Sequence, residues 1–495
     1  MTASARAAAA AAEPPARLMS RAARTVAFAA MLVGTLLASI EATIVSTAMQ
    51  SIVDDLGGRE IFSWAFSSYL LGSTVTVPLY GKMADLFGRR RVYALGIFLF
   101  VAGSALCGAA SSMGWLIAAR AVQGIGAGAI IPITMTVTGD LFAVRERARL
   151  QGLFGAVWGV SSVVGPLAGA WIVQAASWRW IYYLNVPFSA LSVAALSLTL
   201  REPEPRRGLR VDWLGAALLF VGIAALLVAL LPPERRIGLG PGWPWAAGGV
   251  ALLVLFGLHE RRTPEPIVPF ALLRDPLQAA ANAAGFLLGI CMFAQLTFLP
   301  LYIERVLGGG PIDAGRALIP VSVGWTLASF GGGRVIVQYG YRPAVRAGAL
   351  AAVAGCVGLA LRIGLDVPAL LMPSLAMFGL GMGACVTTFV VGVQDRVEHA
   401  RRGAATALTV FSRSMGGAVG TSLLGAGLAF ALRAHPAALA RGVAGVFWAA
   451  AGASVAAAAL VWAIFPRAVV GSVAPAAEPA ASPVPAPAGS PVARP

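Results

Sequence analysis

The stretch Thr25 to Gln50, TVAFAAMLVGTLLASIEATIVSTAMQ, holds a single charged residue, Glu41. At about 1.5 Å per residue this run is long enough to cross about 30 Å of hydrocarbon as a helix. The nearest charges along the chain, Arg24 and Asp54, lie roughly 25 Å and 20 Å away on such a helix, so Glu41 cannot easily reach water at either interface. A carboxylate at that depth costs several kcal/mol unless it pairs, faces an aqueous cavity or takes up a proton. Binding a proton on one side and losing it on the other is what coupling requires. That reading of Glu41 outweighs an inert acid bonded to a backbone carbonyl.

The rest of the chain repeats the pattern. Of 495 residues 58% are apolar and 12% charged, and mean hydropathy is +0.80. A soluble domain needs about a quarter of its residues charged, so a water-facing globule is excluded. About fourteen apolar segments of spanning length start near residues 25, 62, 92, 114, 149, 180, 211, 243, 278, 313, 344, 367, 404 and 443, which predicts an all-α membrane protein and not a barrel. The first is a spanning helix and not a removable signal peptide, because so many follow it. The basic residues behind the net charge of +16 sit in short loops between the apolar runs and mostly on one side, including Lys82 with Arg89 to Arg91 and Arg145 with Arg147 and Arg149. This is a topology signal and not a nucleic-acid surface, and it places both termini in the cytoplasm. Residues 471–495, mostly Ala, Pro and Ser, read as a disordered tail.

Further residues stand out. Arg120 enters the fourth span with Gln123 one turn later and Gly124 after it, at a depth near that of Glu41, so the two can meet. An arginine does not give up its proton, so its work is to bias Glu41 toward release or relay through water. The loop Gly81-Lys82-Met83-Ala84-Asp85-Leu86-Phe87-Gly88-Arg89-Arg90-Arg91 combines glycines that permit a tight turn with an acid that can cap a helix N-terminus of another bundle, which suits a latch. In the fifth span Gly155, Gly159, Gly165, Pro166 and Gly169 form a small-residue face broken by a proline, the mark of a closely packed and bendable helix. Arg413 lies inside the thirteenth span and needs a partner or a wet cavity; Asp85 and Asp395 are the acids to look for beside it. Cys107, Cys291, Cys356 and Cys385 lie singly in apolar runs with no metal spacing, and no cofactor motif is present. A membrane enzyme is disfavoured because His259, His399 and His435 fall outside the hydrophobic centres and form no cluster with Asp or Cys.

Taken in order, these pieces resemble the major facilitator superfamily. Gly81 to Arg91 is similar to its loop signature, and Leu116, Arg120, Gln123, Gly124, Gly126 and Gly128 to its fourth-helix signature. The Gly165-Pro166 run is similar to its antiporter motif. Glu41 to Val45, Ser177 to Ile181 with Asn185 and Pro187, and Asp212 to Gly215 resemble the fourteen-helix drug:proton antiporters within it. Departures exist: the first-helix acid is usually Asp, Ser46 and Gln50 stand where Asn and Pro are usual, and Ser161 and Ala170 occupy glycine positions of the antiporter motif. Gly333 to Gly340 is similar to a degenerate copy of the loop signature, with Val337 where the acid belongs.

The resemblance implies an N-terminal segment 1–24, a six-helix bundle 25–200, a cytoplasmic hinge 201–210 and two inserted helices 211–259. A linker 260–277, a second six-helix bundle 278–465 and a cytoplasmic tail 466–495 complete the chain. It also implies proton-driven export of lipophilic, often cationic, drugs by a monomer in a bacterial cytoplasmic membrane. Glu41 and Arg120 would be the coupling pair, and Gly81, Asp85, Gly88, Arg89 and Arg90 the latch. The same fold could carry a specific metabolite, sugar or siderophore instead.

Overall fold

The computed structural model describes residues 19–200, 211–230, 240–363, 365, 368–434 and 439–466. The proposed hinge 201–210, the tail beyond 466 and most of the N-terminal segment therefore lie outside the described residues, as does His435. What is described is helical, with sixteen α-helices. Six form the first bundle: α1 (Arg21–Leu56), α2 (Ser63–Phe87), α3 (Arg89–Gly108), α4 (Met113–Leu141), α5 (Val144–Ala175) and the sixth span, split into α6 (Arg179–Tyr183) and α7 (Asn185–Thr199). Then come α8 (Trp213–Leu230) and α9 (Gly242–Glu260), a short α10 (Phe270–Arg274), and the second bundle of α11 (Pro276–Arg305), α12 (Pro311–Tyr339), α13 (Tyr341–Arg362), α14 (Met372–Arg396), α15 (Arg402–Ala434) and α16 (Leu439–Ile464). A helix stands at each apolar segment read from the sequence. Eleven stretches are long and apolar enough to cross a bilayer; α8 is short, and α2 and α12 carry more serine, threonine and glycine.

Local sequence sets the breaks. Ser20 and Ser112 accept the backbone N–H of Ala23 and Trp115, and Asp275 accepts that of Gln278, capping the starts of α1, α4 and α11. Gly88 and Gly340 have φ of 92° and 84°, a backbone conformation that costs glycine nothing. Each turns the chain sharply between the second and third helices of its bundle.

The bundles repeat one another. In the first, α1 packs on α5 and α7 while α4 packs on α2 and α3; in the second, α11 packs on α15 and α16 while α14 packs on α12 and α13. The bundles meet through α5 against α12 and α2 against α15. Helices α8 and α9 pack on each other, and α8 lies against α2 and α15, where Val75, Leu219, Ile223, Leu227 and Ala418 bury together. The rim of the molecule is apolar: Leu198 is 86% exposed and Phe430 77% exposed. Against lipid such an apolar rim is neutral.

Small residues set the helix spacing. A Cβ on Gly124 would fall 2.3 Å from the carbonyl oxygen of Tyr69, so α4 can seat on α2 only because that carbon is missing. Gly124→Val should therefore destabilise the first bundle by about 1–3 kcal/mol through overpacking. Gly114→Val, which meets open space, should leave it unchanged. Thermal unfolding of the two purified variants in detergent checks the contrast.

Candidate functional site

Five helices of the first bundle converge on Glu41. Its Oε1 accepts a hydrogen bond from Arg120 Nη1 at 2.5 Å, and its Oε2 accepts one from Asn185 Nδ2 at 2.7 Å. Arg120 also donates through Nε to the carbonyl oxygen of Ala65 at 3.1 Å and through Nη1 to Gln123 Oε1 at 2.8 Å, and its guanidinium lies 4.2 Å from the centre of the Tyr69 ring. Ser104 joins the outer part of the network, accepting from Gln123 Nε2 at 3.1 Å and Asn185 Nδ2 at 2.9 Å and donating to the carbonyl of Tyr182 at 2.9 Å. Glu41 and Arg120 are each 1% exposed.

Of the ways a deep acid can be tolerated, pairing is therefore the one adopted. The carboxylate does not face an open vestibule. It points into its own bundle, toward α4 and α7, and both its oxygens are engaged. Sequence reasoning placed Glu41, Arg120 and Gln123 together but did not single out Ser104, Tyr69 or Tyr182 as members of the site. Asn185 entered only as part of a motif. Its signal is an amide in an otherwise apolar sixth span.

The glycine face of α5 is shared between two partners. Gly155 and Gly159 lie against Trp325 and Ser322 of α12, whereas Gly165 and Gly169 lie against Thr43 and Thr47 of α1. Thr43 donates to the carbonyl of Ser161 at 3.0 Å, which ties the helix bearing Glu41 to α5 near Pro166.

A second charged cluster joins the bundles at the end of the molecule where α2 stops. Asp85 accepts the backbone N–H groups of Gly403 and Ala404, at 2.9 and 2.8 Å, in the first turn of α15. A carboxylate there satisfies orphan donors and favours the positive end of the helix dipole. Arg89 pairs with Asp85 at 3.1 Å and with Asp140 at 3.1 Å, and donates to the carbonyl of His399 at 2.8 Å. Asp140 also meets Arg402 at 2.7 Å and His399 at 2.9 Å across the interface. Gly81 lets α2 approach α15, since its Cβ would meet Gly403 and Ala407, and Gly88 makes the turn into α3. Arg90 is exposed. Asp140, His399 and Arg402 were not anticipated, since loop charges alone do not say which bundle they reach.

The second copy of this loop differs. Gly333 approaches α5 as Gly81 approaches α15, against Ala148 and the carbonyl of Arg145. Val337 offers no acceptor, and α5 is capped by its own Glu146, which accepts the backbone N–H of Ala143 at 3.3 Å. Closure at this end is thus charged on one side and apolar on the other.

At the opposite end Asp55 accepts from Arg179 at 2.7 Å and Trp178 Nε1 at 3.0 Å, and Arg179 reaches the carbonyl of Ala110 at 3.2 Å. These hydrogen bonds hold the Asp55 carboxyl below the usual carboxylate range. The Ser177 to Ile181 stretch therefore fastens the start of the sixth span to the end of the first.

Arg413 is half-buried in α15, and neither acid expected beside it is there. Asp85 is taken up by the first turn of α15, and Asp395 accepts from the Tyr341 hydroxyl at 2.9 Å. A hollow of about 380 Å³ opens between α15 and α16, lined by Leu423, Leu428 and Arg441, and touches none of these groups.

Removing the Asp85 charge should favour separation of the bundles at this end. Asp85→Asn should shift the balance by about 1.5–3 kcal/mol, the worth of a hydrogen bond to a charged group. Spin labels on the exposed positions 91 and 401 would report it as a longer distance between bundles.

The comparisons with known proteins agree with this architecture. Residues 31–421 match the model of the Major Facilitator Superfamily. The chain is 35% identical over 409 residues to the multidrug transporter protein MdtP of Bacillus subtilis (strain 168), covering 81% of this chain and 75% of that one. It is 33% identical to the multidrug resistance protein 3 of the same organism, covering 80% of this chain and 78% of the relative. The proton:xylose symporter XylE superposes with a TM-score of 0.64 at 15% identity, over 90% of this chain and 96% of that one, which is a likeness of fold. The chain belongs to the major facilitator superfamily and is a multi-pass membrane transporter rather than an enzyme.

Proposed function

We propose that the protein is a proton-coupled antiporter that exports lipophilic compounds across a bacterial cytoplasmic membrane by alternating access, working as a monomer with both termini in the cytoplasm. The observation that carries this reading is the sealed Glu41–Arg120 pair with Asn185 on the second carboxylate oxygen. The names of the relatives, a multidrug transporter and a multidrug resistance protein, support export of foreign compounds.

In this reading the described conformer is closed at the cytoplasmic end, with Asp85, Arg89, Asp140 and Arg402 forming the latch. Proton uptake by Glu41 removes the negative partner of Arg120, so the two protonation states favour different arrangements of α1 against α4. A ligand shifts a conformational equilibrium only by its differential affinity for the two states, and here the proton is that ligand. A cationic drug can compete for Glu41 only after Arg120 withdraws, because both carboxylate oxygens are occupied. Coupling through conformation is therefore the better-supported route, with competition for one carboxylate secondary to it. A membrane potential of about 100 mV contributes roughly 2.3 kcal/mol per net charge moved inward, enough for about fiftyfold accumulation.

Glu41→Gln should insert and fold yet lose uphill export. Ethidium movement in energised inside-out vesicles, with the pH gradient present and then collapsed, checks this. Gradient-dependent transport by the variant at the wild-type rate would remove Glu41 from the mechanism.

A further inference from the structure

Within the described spans the buried charges meet partners: Glu41 has Arg120, Lys82 has Glu265 at 2.6 Å, and Asp140 has Arg89 and Arg402. Arg413 differs. Among the described residues it makes no hydrogen bond or ion pair, although it lies well inside α15, about 17 Å along the helix from Arg402 at 1.5 Å per residue. An arginine at such depth is costly, and arginines in spanning segments are found facing interiors, wet cavities or charged ligands.

The face of α15 on which Arg413 sits is set by its neighbours. Arg402, Thr406, Thr409 and Arg413 follow the spacing of one helical stripe. Arg402 reaches Asp140 and the carbonyl of Gly139 in α4, at 2.7 and 3.3 Å. Thr406 is bridged by Gln394 to the carbonyl of Met135 in α4, through contacts of 3.2 and 2.9 Å. Thr409 accepts from Gln278 of α11 at 3.1 Å. Through Arg402 and Thr406 the stripe looks toward the other bundle, while Thr409 marks its border with α11 of the same bundle, and Arg413 continues it beyond the point where these polar bridges end. The backbone of Arg413 is held against Gly289 of α11, whose Cβ would meet its carbonyl oxygen at 2.1 Å, so α15 is not free to roll this face away.

We propose that Arg413 binds the anionic group of an amphiphilic cargo, a carboxylate, sulfonate or phosphate on an apolar body, between the two bundles. The guanidinium fork matches such groups with two parallel hydrogen bonds, and the uncompensated charge supplies the attraction. The Glu41–Arg120 pair is neutral as a unit, so among the described residues Arg413 is a charge within the spans that no acid compensates. A zwitterionic cargo is admitted on the same terms, whereas a simple cation gains nothing from this residue. The inference rests on the export reading for the identity of the ligand as cargo, but it concerns binding alone.

The test is equilibrium binding of radiolabelled fusidate, a lipophilic carboxylate, and of ethidium to the full-length protein in phosphatidylcholine nanodiscs without any gradient. Arg413→Gln should weaken fusidate binding tenfold or more, Arg413→Lys should weaken it less, and ethidium affinity should stay within about twofold, with thermal unfolding confirming that each variant is folded. Fusidate affinity unchanged in Arg413→Gln, no saturable fusidate binding by the wild type, or equal loss of fusidate and ethidium would each overturn the proposal. Displacement of fusidate by phosphatidylglycerol added to the disc would assign the site to a lipid headgroup and overturn the cargo assignment. Proton-independent ethidium export would sink the antiport reading while leaving this binding result standing.

Discussion

A charge inside a lipid-facing protein must be given a partner, and the first bundle is organised around one such requirement. Breaking a buried pair by removing one member costs about 3–5 kcal/mol, because the survivor is left uncompensated. The two survivors here are not equivalent. Arg120 without Glu41 keeps the Ala65 carbonyl, the Gln123 side chain and the Tyr69 ring face. Glu41 without Arg120 keeps Asn185. The network therefore tolerates a neutral Glu41 beside a charged Arg120 better than the reverse.

The helices that carry this network are placed by what their residues lack. Gly124 admits the backbone of α2 to α4, and Gly165 and Gly169 admit the threonines of α1 to α5. In hydrocarbon no hydrophobic force drives helices together, so close contact and interhelical hydrogen bonds set the geometry. A rearrangement around Glu41 moves α1, α4, α3 and α7 together, since each contributes a group to the same few ångströms.

Much of this was legible in the sequence because the two signals involved survive without coordinates. Apolar runs identify spans by length, and a charge inside such a run has few explanations, which is why Glu41 and Arg120 could be matched by depth alone. What was not legible depends on helix rotation. Ser104 and Tyr69 are ordinary residues for a membrane helix, and only the angle of α3 and α2 turns them to the pair. The partner expected for Arg413 failed for a related reason. Asp85 lies close to α15 in space, but its two oxygens are satisfied by the first-turn amides of Gly403 and Ala404, about three helical turns from Arg413. Asp140, which nothing in the sequence singled out, pairs with Arg89 of its own bundle and with His399 and Arg402 of the other.

The two interfaces between the bundles are held by different chemistry. Against α2, α15 is held at one end by Asp85 and Asp140, groups that water can take over once the helices part, so this contact can be broken and remade. Against α12, α5 is held by glycines seated on Trp325 and Ser322 and by Gly333 seated on Ala148, with no acid in the loop to release. Contacts of this kind slide or pivot more readily than they separate, because parting them forfeits dispersion energy with no new hydrogen bonds in return. The charged side is therefore the easier of the two to part and remake, and Val337, standing where the first copy has Asp85, is the residue that makes the two sides differ.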